Sequence, residues 1–142
     1  LKNGTDYTVT YPKGMKNVGK YTVKVTLKGN YSGSKSMTYN INPKGTSVSK
    51  VTAAKKGFKV TWKKQATQIT GYQVQYSTSS KFKSAKTVTI SKNKTTSKSV
   101  NKLSAKKKYY VRVRTYKTVK IGGKSVKLYS GWSKAKSVTT KK

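Results

Sequence analysis

The sequence predicts an all-β chain: a two-sheet sandwich preceded by a smaller β segment. Two observations carry that expectation. Strand-favouring Val, Tyr, Ile and Trp alternate with polar residues in short runs. Seven such runs, separated by turn residues, fill roughly the last hundred residues, which is the spacing of a sandwich.

The first segment spans residues 1–42. Tyr7-Thr8-Val9-Thr10-Tyr11 is a strand, followed by a Pro12-Lys13-Gly14 turn. Lys20 to Leu27 alternates, with Tyr21, Val23, Val25 and Leu27 on one face. Gly29 to Gly33 is a turn, and Ser36 to Ile41 is a third strand. Three strands are too few to bury two faces. Residues 43–45 form the boundary, because Pro43 and Gly45 interrupt pairing.

Residues 46–142 hold the sandwich. Its strands are expected at Val48 to Thr52, Gly57 to Lys63, Gly71 to Tyr76, Ala85 to Ile90, Ser97 to Asn101, Tyr109 to Tyr116 and Lys134 to Thr140. The core faces are Phe58, Val60 and Trp62; Tyr72, Val74 and Tyr76; and Tyr109, Val111 and Val113. Between Lys117 and Tyr129, Gly122-Gly123 favours a primed two-residue turn, so this stretch is read as an extended hairpin.

Composition narrows the function. The 142 residues carry 34 Lys+Arg against one acid, Asp6, for a net charge of +33. There is no Cys and no His, so no disulfide, thiolate or imidazole metal site, Cys nucleophile or His-based triad can be built. One carboxylate cannot form a glycosidase pair or a Mg²⁺ or Ca²⁺ cage. Neither an enzyme nor a cofactor is expected. Asp6 itself reads as a turn residue capping backbone N–H groups. The sequence has no run of about 18 apolar residues, the length that crosses a bilayer as a helix. The chain opens on Leu1, which suggests a processed product or a piece of a longer protein.

The segment from about 46 to 140 resembles a fibronectin type III domain. Phe58-Lys59-Val60-Thr61-Trp62, then Gly71-Tyr72-Gln73-Val74-Gln75-Tyr76, carry the first half of the resemblance. Leu103, six residues before Tyr109, then Val111 and Val113, carry the second, with Gly131-Trp132-Ser133 before the last strand. Ala105 stands where the family usually has Pro. The resemblance implies a seven-stranded sandwich with Trp62, Tyr72, Tyr109 and Trp132 as structural residues. It also implies that the Tyr109 hydroxyl bonds back to nearby backbone. Residues 1–42 resemble the C-terminal part of an immunoglobulin-like repeat of Gram-positive surface proteins. Gly4 to Tyr11, Val18 to Val23 and Gly29 to Gly33 carry that likeness. The resemblance implies that the front strands of such a repeat are missing, which leaves three outcomes: docking on the following sandwich with Pro43 as a stiff joint, fraying, or, the favoured one, pairing of strands with a second copy of the chain.

Together these readings imply a non-catalytic extracellular or cell-surface module, a spacer or adhesive segment. Its partners would be anionic wall polymers such as teichoic acid, or anionic glycans, held without a shaped contact and sensitive to salt. The candidate contacts are Arg112, Arg114, Lys117, Lys120, Lys124 and Lys127. Arg112 and Arg114 project from the face opposite Val111 and Val113, beside Gln73, Gln75 and Tyr110. Two alternatives stand. A nucleic-acid-binding protein fits the charge, but 32 Lys against two Arg suits diffuse attraction better than base readout. An engineered supercharged sandwich would explain a single acid.

Overall fold

The computed structural model describes residues 1–13 and 15–142. The expected Pro12-Lys13-Gly14 turn therefore falls partly on Gly14, outside the described residues. Among those described, every regular element is a strand.

Strands β1 (Tyr7–Thr10), β2 (Gly19–Leu27) and β3 (Ser34–Ile41) form an antiparallel sheet in the order β1-β2-β3. The register pairs Tyr7 with Leu27, Val9 with Val25, Tyr21 with Tyr39 and Val23 with Met37. Directly opposite residues share a face, so the apolar residues of all three strands gather on one side. That side is only partly covered, and Met37 is 59% exposed. The Asp6 carboxylate accepts a hydrogen bond from the Lys2 backbone N–H at 2.7 Å, closing the turn ahead of β1.

The sandwich follows. β4 (Val48–Ala54), β5 (Gly57–Trp62) and β8 (Ser97–Val100) make one sheet in the order β4-β5-β8. β6 (Gly71–Ser77), β7 (Lys86–Ile90), β9 (Lys108–Ile121) and β10 (Lys124–Tyr129) make the other, in the order β10-β9-β6-β7. β11 (Lys136–Thr139) pairs with β9 as well. All nine residues expected in the core lie there, joined by Val48, Ile69, Val100 and Val138. Trp62 and Tyr72 pack with ring centroids 5.3 Å apart. Gly71 is required where β6 meets β7, because a Cβ there would lie 1.9 Å from the Ile90 carbonyl oxygen.

The Tyr109 hydroxyl accepts from the Ser104 backbone N–H at 3.4 Å, so the backward hydrogen bond implied by the resemblance is present. β9 runs on past the expected end at Tyr116 to Ile121. Every residue of β10 pairs with it, across a Gly122-Gly123 turn with φ of 58° and 79°. Positive φ at both central residues is the primed geometry that matches strand twist. The last strand, Lys136–Thr139, is shorter than the expected Lys134 to Thr140.

Residues 43–45 are seated on the sandwich. Pro43 is buried. The Lys44 carbonyl accepts from the Thr115 hydroxyl at 2.8 Å, and the Gly45 carbonyl accepts from Gln65 Nε2 at 2.7 Å. The turn before β2 touches the same end, where the Val18 N–H donates to Gln68 Oε1 at 3.2 Å.

Candidate functional site

The outer face of the β6–β7–β9–β10 sheet carries the most organised polar chemistry of the chain. Strand alternation puts Val111, Val113 and Thr115 inward and Arg112 and Arg114 outward. The register sets Arg112 opposite Gln75 and Arg114 opposite Gln73. It then sets Gln75 opposite Thr87 and Gln73 opposite Thr89. Two parallel Thr–Gln–Arg rows result. Arg112 Nε donates to Gln75 Oε1 at 2.8 Å, and its Nη2 donates to the same oxygen. Arg114 Nε and Nη2 donate to Gln73 Oε1 at 2.9 and 2.8 Å. Each glutamine passes its own Nε2 proton to threonine, at 3.2 Å for Thr87 and 3.1 Å for Thr89.

The guanidinium planes are also stacked between aromatic rings. Arg112 Cζ lies 3.9 Å from the Phe82 ring centroid and 4.7 Å from that of Trp132. Arg114 Cζ lies 4.2 Å from Trp132 and 3.8 Å from Tyr129. The order is therefore Phe82, Arg112, Trp132, Arg114, Tyr129. Tyr116 continues it at 6.3 Å from Tyr129, and Lys127 Nζ lies 5.3 Å from the Tyr116 ring. Cations over ring faces are attracted by the ring quadrupole, the more so when desolvated. Burial pulls both guanidinium pKa values down; at Arg114 the neighbouring Tyr129 opposes this and Arg112 adds to it. Both groups remain charged, since arginine is not deprotonated in proteins.

Trp132 is held in place by the serines around it. Ser130 Oγ accepts from the Thr115 N–H at 2.9 Å, while the Ser130 N–H donates to the Thr115 carbonyl at 3.0 Å. Ser133 makes the same pair of bonds with Val113, at 3.0 and 2.8 Å. Two serines thus satisfy the free edge of β9 between β10 and β11. That lets the chain bulge outward there and lay the indole between the arginines. Trp132 is half-buried on the outer face, away from the core that holds Trp62, Tyr72 and Tyr109.

The six candidate contacts do not form one patch. Lys127 pairs with Thr118, and Ser125 with Lys120, so Lys120 and Lys127 share the outer face with the arginines. Lys117 pairs with Leu128 and Lys124 with Ile121, on the opposite face of the hairpin. Each arginine commits two of its nitrogens to a glutamine, leaving Nη1 for any outside acceptor. Lys120, Lys124 and Lys127 are exposed, and Lys117 is half-buried. Tyr110 stands under a lysine, with Lys108 Nζ 5.3 Å from its ring centroid. Sequence reasoning missed Phe82 and Tyr129 as ladder members. Phe82 sits in a Ser- and Lys-rich loop at φ 54°, a left-handed conformation unusual for a bulky residue. No periodicity signals such a position.

The inner end of the same sheet carries a cavity of about 190 Å³ lined by Tyr76, Ser77, Thr78, Ser84, Lys86, Leu103 and Tyr109. Among the described residues no cluster of three or more Asp, Glu, Cys or His could hold a metal ion. No helix among them is long and apolar enough to cross a membrane.

Comparison with known proteins places this architecture. No curated protein matches the chain. Among solved structures, the FN1–FN3 domains of chicken CNTN1 are similar at 19% identity and a TM-score of 0.57, over 92% of this chain and 46% of that one. Domains A168–A170 of titin match at 19% identity and a TM-score of 0.47, over 100% of this chain and 51% of that one. The chain thus spans about half the length of the solved fragments it matches. A family model described as fibronectin type III domain matches residues 41–130, which take in β4 to β10 and the buried Trp62 and Tyr109. On that match and that fold, the chain belongs to the fibronectin type III domain family.

Proposed function

We propose that this chain is a non-catalytic extracellular module of a bacterial surface or secreted protein, a spacer or adhesive segment whose basic surface holds polyanions such as wall teichoic acid or anionic glycans. The observation that supports it is the charge: 34 cations against one acid over the whole chain, most of it a well-packed sandwich. A folded domain tolerates such self-repulsion at a cost in stability, and the same field concentrates anionic polymers at its surface. Lysines carry the attraction. They are hydrated point charges on flexible stems, and the two arginines are already engaged by Gln73, Gln75 and the aromatic ladder. The hairpin lysines Lys120, Lys124 and Lys127 are exposed, and Lys120 and Lys127 share the outer face with Arg112 and Arg114.

Binding of lipoteichoic acid, heparin and single-stranded DNA at two salt concentrations tests this. If about six to ten anionic groups are engaged, affinity falls roughly 10³–10⁵-fold between about 50 and 200 mM salt. Equal affinity at both concentrations, or no binding at the lower one, overturns the reading. A DNA affinity far above the others at matched charge favours a nucleic-acid role instead.

A further inference from the structure

We propose that the cavity between β6, β7 and the start of β9 is a seat for one acidic saccharide unit, a hydroxylated sugar ring bearing a carboxylate. The proposal deepens the polyanion reading and rests on it for the source of that unit: one residue of an anionic glycan enters the cavity while the surrounding lysines hold the rest of the chain.

The cavity is built, and Tyr76 and Tyr109 bring hydroxyl protons to it that no hydrogen bond among the described residues uses. Tyr76 is 8% exposed, its ring packed against Phe58 and Tyr109 with centroids 5.6 and 6.2 Å away. Yet its hydroxyl has no hydrogen-bond partner among the described residues, and Tyr76 lines the cavity. The hydroxyl is not enclosed like the buried, unpaired Tyr39 hydroxyl; it opens to the cavity and is free to bond a ligand there. Tyr109 lines the same space. Its oxygen accepts one long bond from Ser104 and keeps its own proton to give. Burial, with Tyr109 alongside, raises the Tyr76 pKa, so this hydroxyl stays protonated and serves as a donor.

The rim fixes the charge of the ligand. Lys86 stands directly opposite Tyr76 in the β6–β7 register and is exposed at the mouth. The lining contains no carboxylate. Thr78 and Ser84 add two exposed hydroxyls, and Leu103 gives an apolar wall. Ser77 is already used, donating to the Lys83 carbonyl at 2.7 Å and accepting from the Ser79 N–H at 3.0 Å. This is a set of hydroxyl donors and acceptors, a flat apolar side and one cation. It matches the edges, the ring face and the single carboxylate of a uronic acid. The volume of about 190 Å³ corresponds to roughly six water molecules at about 30 Å³ each, the scale of one sugar ring and not of two.

Amide NMR titration of the full chain with glucuronate, glucose and inorganic phosphate decides the matter. Saturable shifts at Tyr76, Lys86 and Leu103 are expected with glucuronate, with clearly weaker response to glucose. One cation at the mouth gives a salt slope near one, so affinity should fall only a few-fold between about 50 and 200 mM salt. Tyr76→Phe should weaken glucuronate about tenfold. Lys86→Gln, a substitution at an exposed position, should leave glucose unchanged and erase the preference for the acid. If Tyr76→Phe does not fold, Lys86→Gln and the shift map carry the decision. Shifts spread over the lysines without saturation, saturation by phosphate alone, or wild-type binding in Lys86→Gln would each overturn the proposal. The two readings fail separately. Salt-dependent polymer binding unaffected by Tyr76→Phe and Lys86→Gln leaves the basic surface and removes the seat. Saturable glucuronate without polymer binding leaves the seat and removes the polyanion role.

Discussion

Arg114 and Gln73 are joined across β9 and β6 by two hydrogen bonds to one oxygen, from Nε at 2.9 Å and from Nη2 at 2.8 Å. The same guanidinium lies over two rings, with its Cζ 3.8 Å from the Tyr129 centroid and 4.2 Å from that of Trp132. Lysine has neither the fork nor the flat face. Arg114→Lys should therefore destabilise the fold by about 1–3 kcal/mol, although it conserves charge. A double-mutant cycle with Gln73→Ala should return a coupling of about 0.5–3 kcal/mol by urea unfolding. Additive effects would mean that the row contributes nothing as a unit.

Trp132 lies against both arginines and stands outside the core cluster of the sandwich. Trp132→Ala removes two cation–π contacts of about 0.5–2 kcal/mol each, plus part of the burial of the indole. A loss of about 2–4 kcal/mol is expected in chemical denaturation, with Trp132→Phe falling in between. Ser133→Ala should reproduce part of that loss, because the Val113 N–H is then left without its partner.

Trp62 differs from Trp132 in what its nitrogen meets. It is 2% exposed, and its Nε1 is buried with no hydrogen-bond partner among the described residues. Trp62→Ala should cost about 3–5 kcal/mol through the cavity it leaves. Trp62→Phe keeps much of the ring and removes the unpaired N–H, which itself costs about 1–3 kcal/mol to bury. Its loss should be less than half that of Trp62→Ala, by thermal or urea unfolding. Equal losses would show that the indole N–H is not a burden.

Two phenols set an alkaline limit. Burial raises the Tyr76 and Tyr116 pKa values above the ordinary 10.0, with Tyr109 and Tyr129 adding to the shift. The unfolded chain then loses these protons at lower pH than the folded one. The stabilisation is complete below about pH 10 and is lost as pH rises through the folded values. Lysines lose charge in the same range, which relieves self-repulsion and works in the opposite direction. Comparison with the Tyr76→Phe and Tyr116→Phe variants isolates the phenols. Above about pH 10 the parent should lose stability faster than either variant. Parallel pH profiles would dispose of the effect.

The sandwich was legible because its strands alternate and its turns are marked. Phe58, Val60 and Trp62, and their counterparts on β6 and β9, could each be assigned to a face by counting in twos. That Arg112 and Arg114 share an outer face with Gln73 and Gln75 was legible for the same reason, whereas the pairing of Arg112 with Gln75 and of Arg114 with Gln73 follows from the β6–β9 register. The ladder was not. Phe82 reaches Arg112 from a loop by taking up positive φ, and Trp132 reaches both arginines because Ser130 and Ser133 release the chain from the sheet edge. Those are tertiary arrangements of residues that read locally as turn and linker. The split of the hairpin lysines between two faces was also hidden, since it follows from the β9–β10 register and not from their closeness in sequence.

The N-terminal sheet should be the first part of the chain to open. Its strands pair completely, with β2 bonded on both edges. Pairing alone does not stabilise a sheet, because three strands need an apolar face that is covered. Here the face bearing Tyr21, Val23, Val25 and Met37 is half-buried at most, whereas Val74, Val111 and Val113 are fully buried in the sandwich. The Tyr39 hydroxyl is buried without a hydrogen-bond partner among the described residues, a further cost. Local opening free energies follow the apolar area that opening exposes. Native-state amide exchange on the full chain should therefore show β2 amides exchanging through a low-energy opening that leaves β6 and β9 protected. The gap should be several kcal/mol, the difference between a partial opening and global unfolding. Met37→Ser should leave sandwich protection unchanged, since that side chain is largely exposed. Protection of β2 equal to that of β9 would mean that the apolar face is covered in solution, and the size of the species in light scattering would then show whether a second copy of the chain covers it.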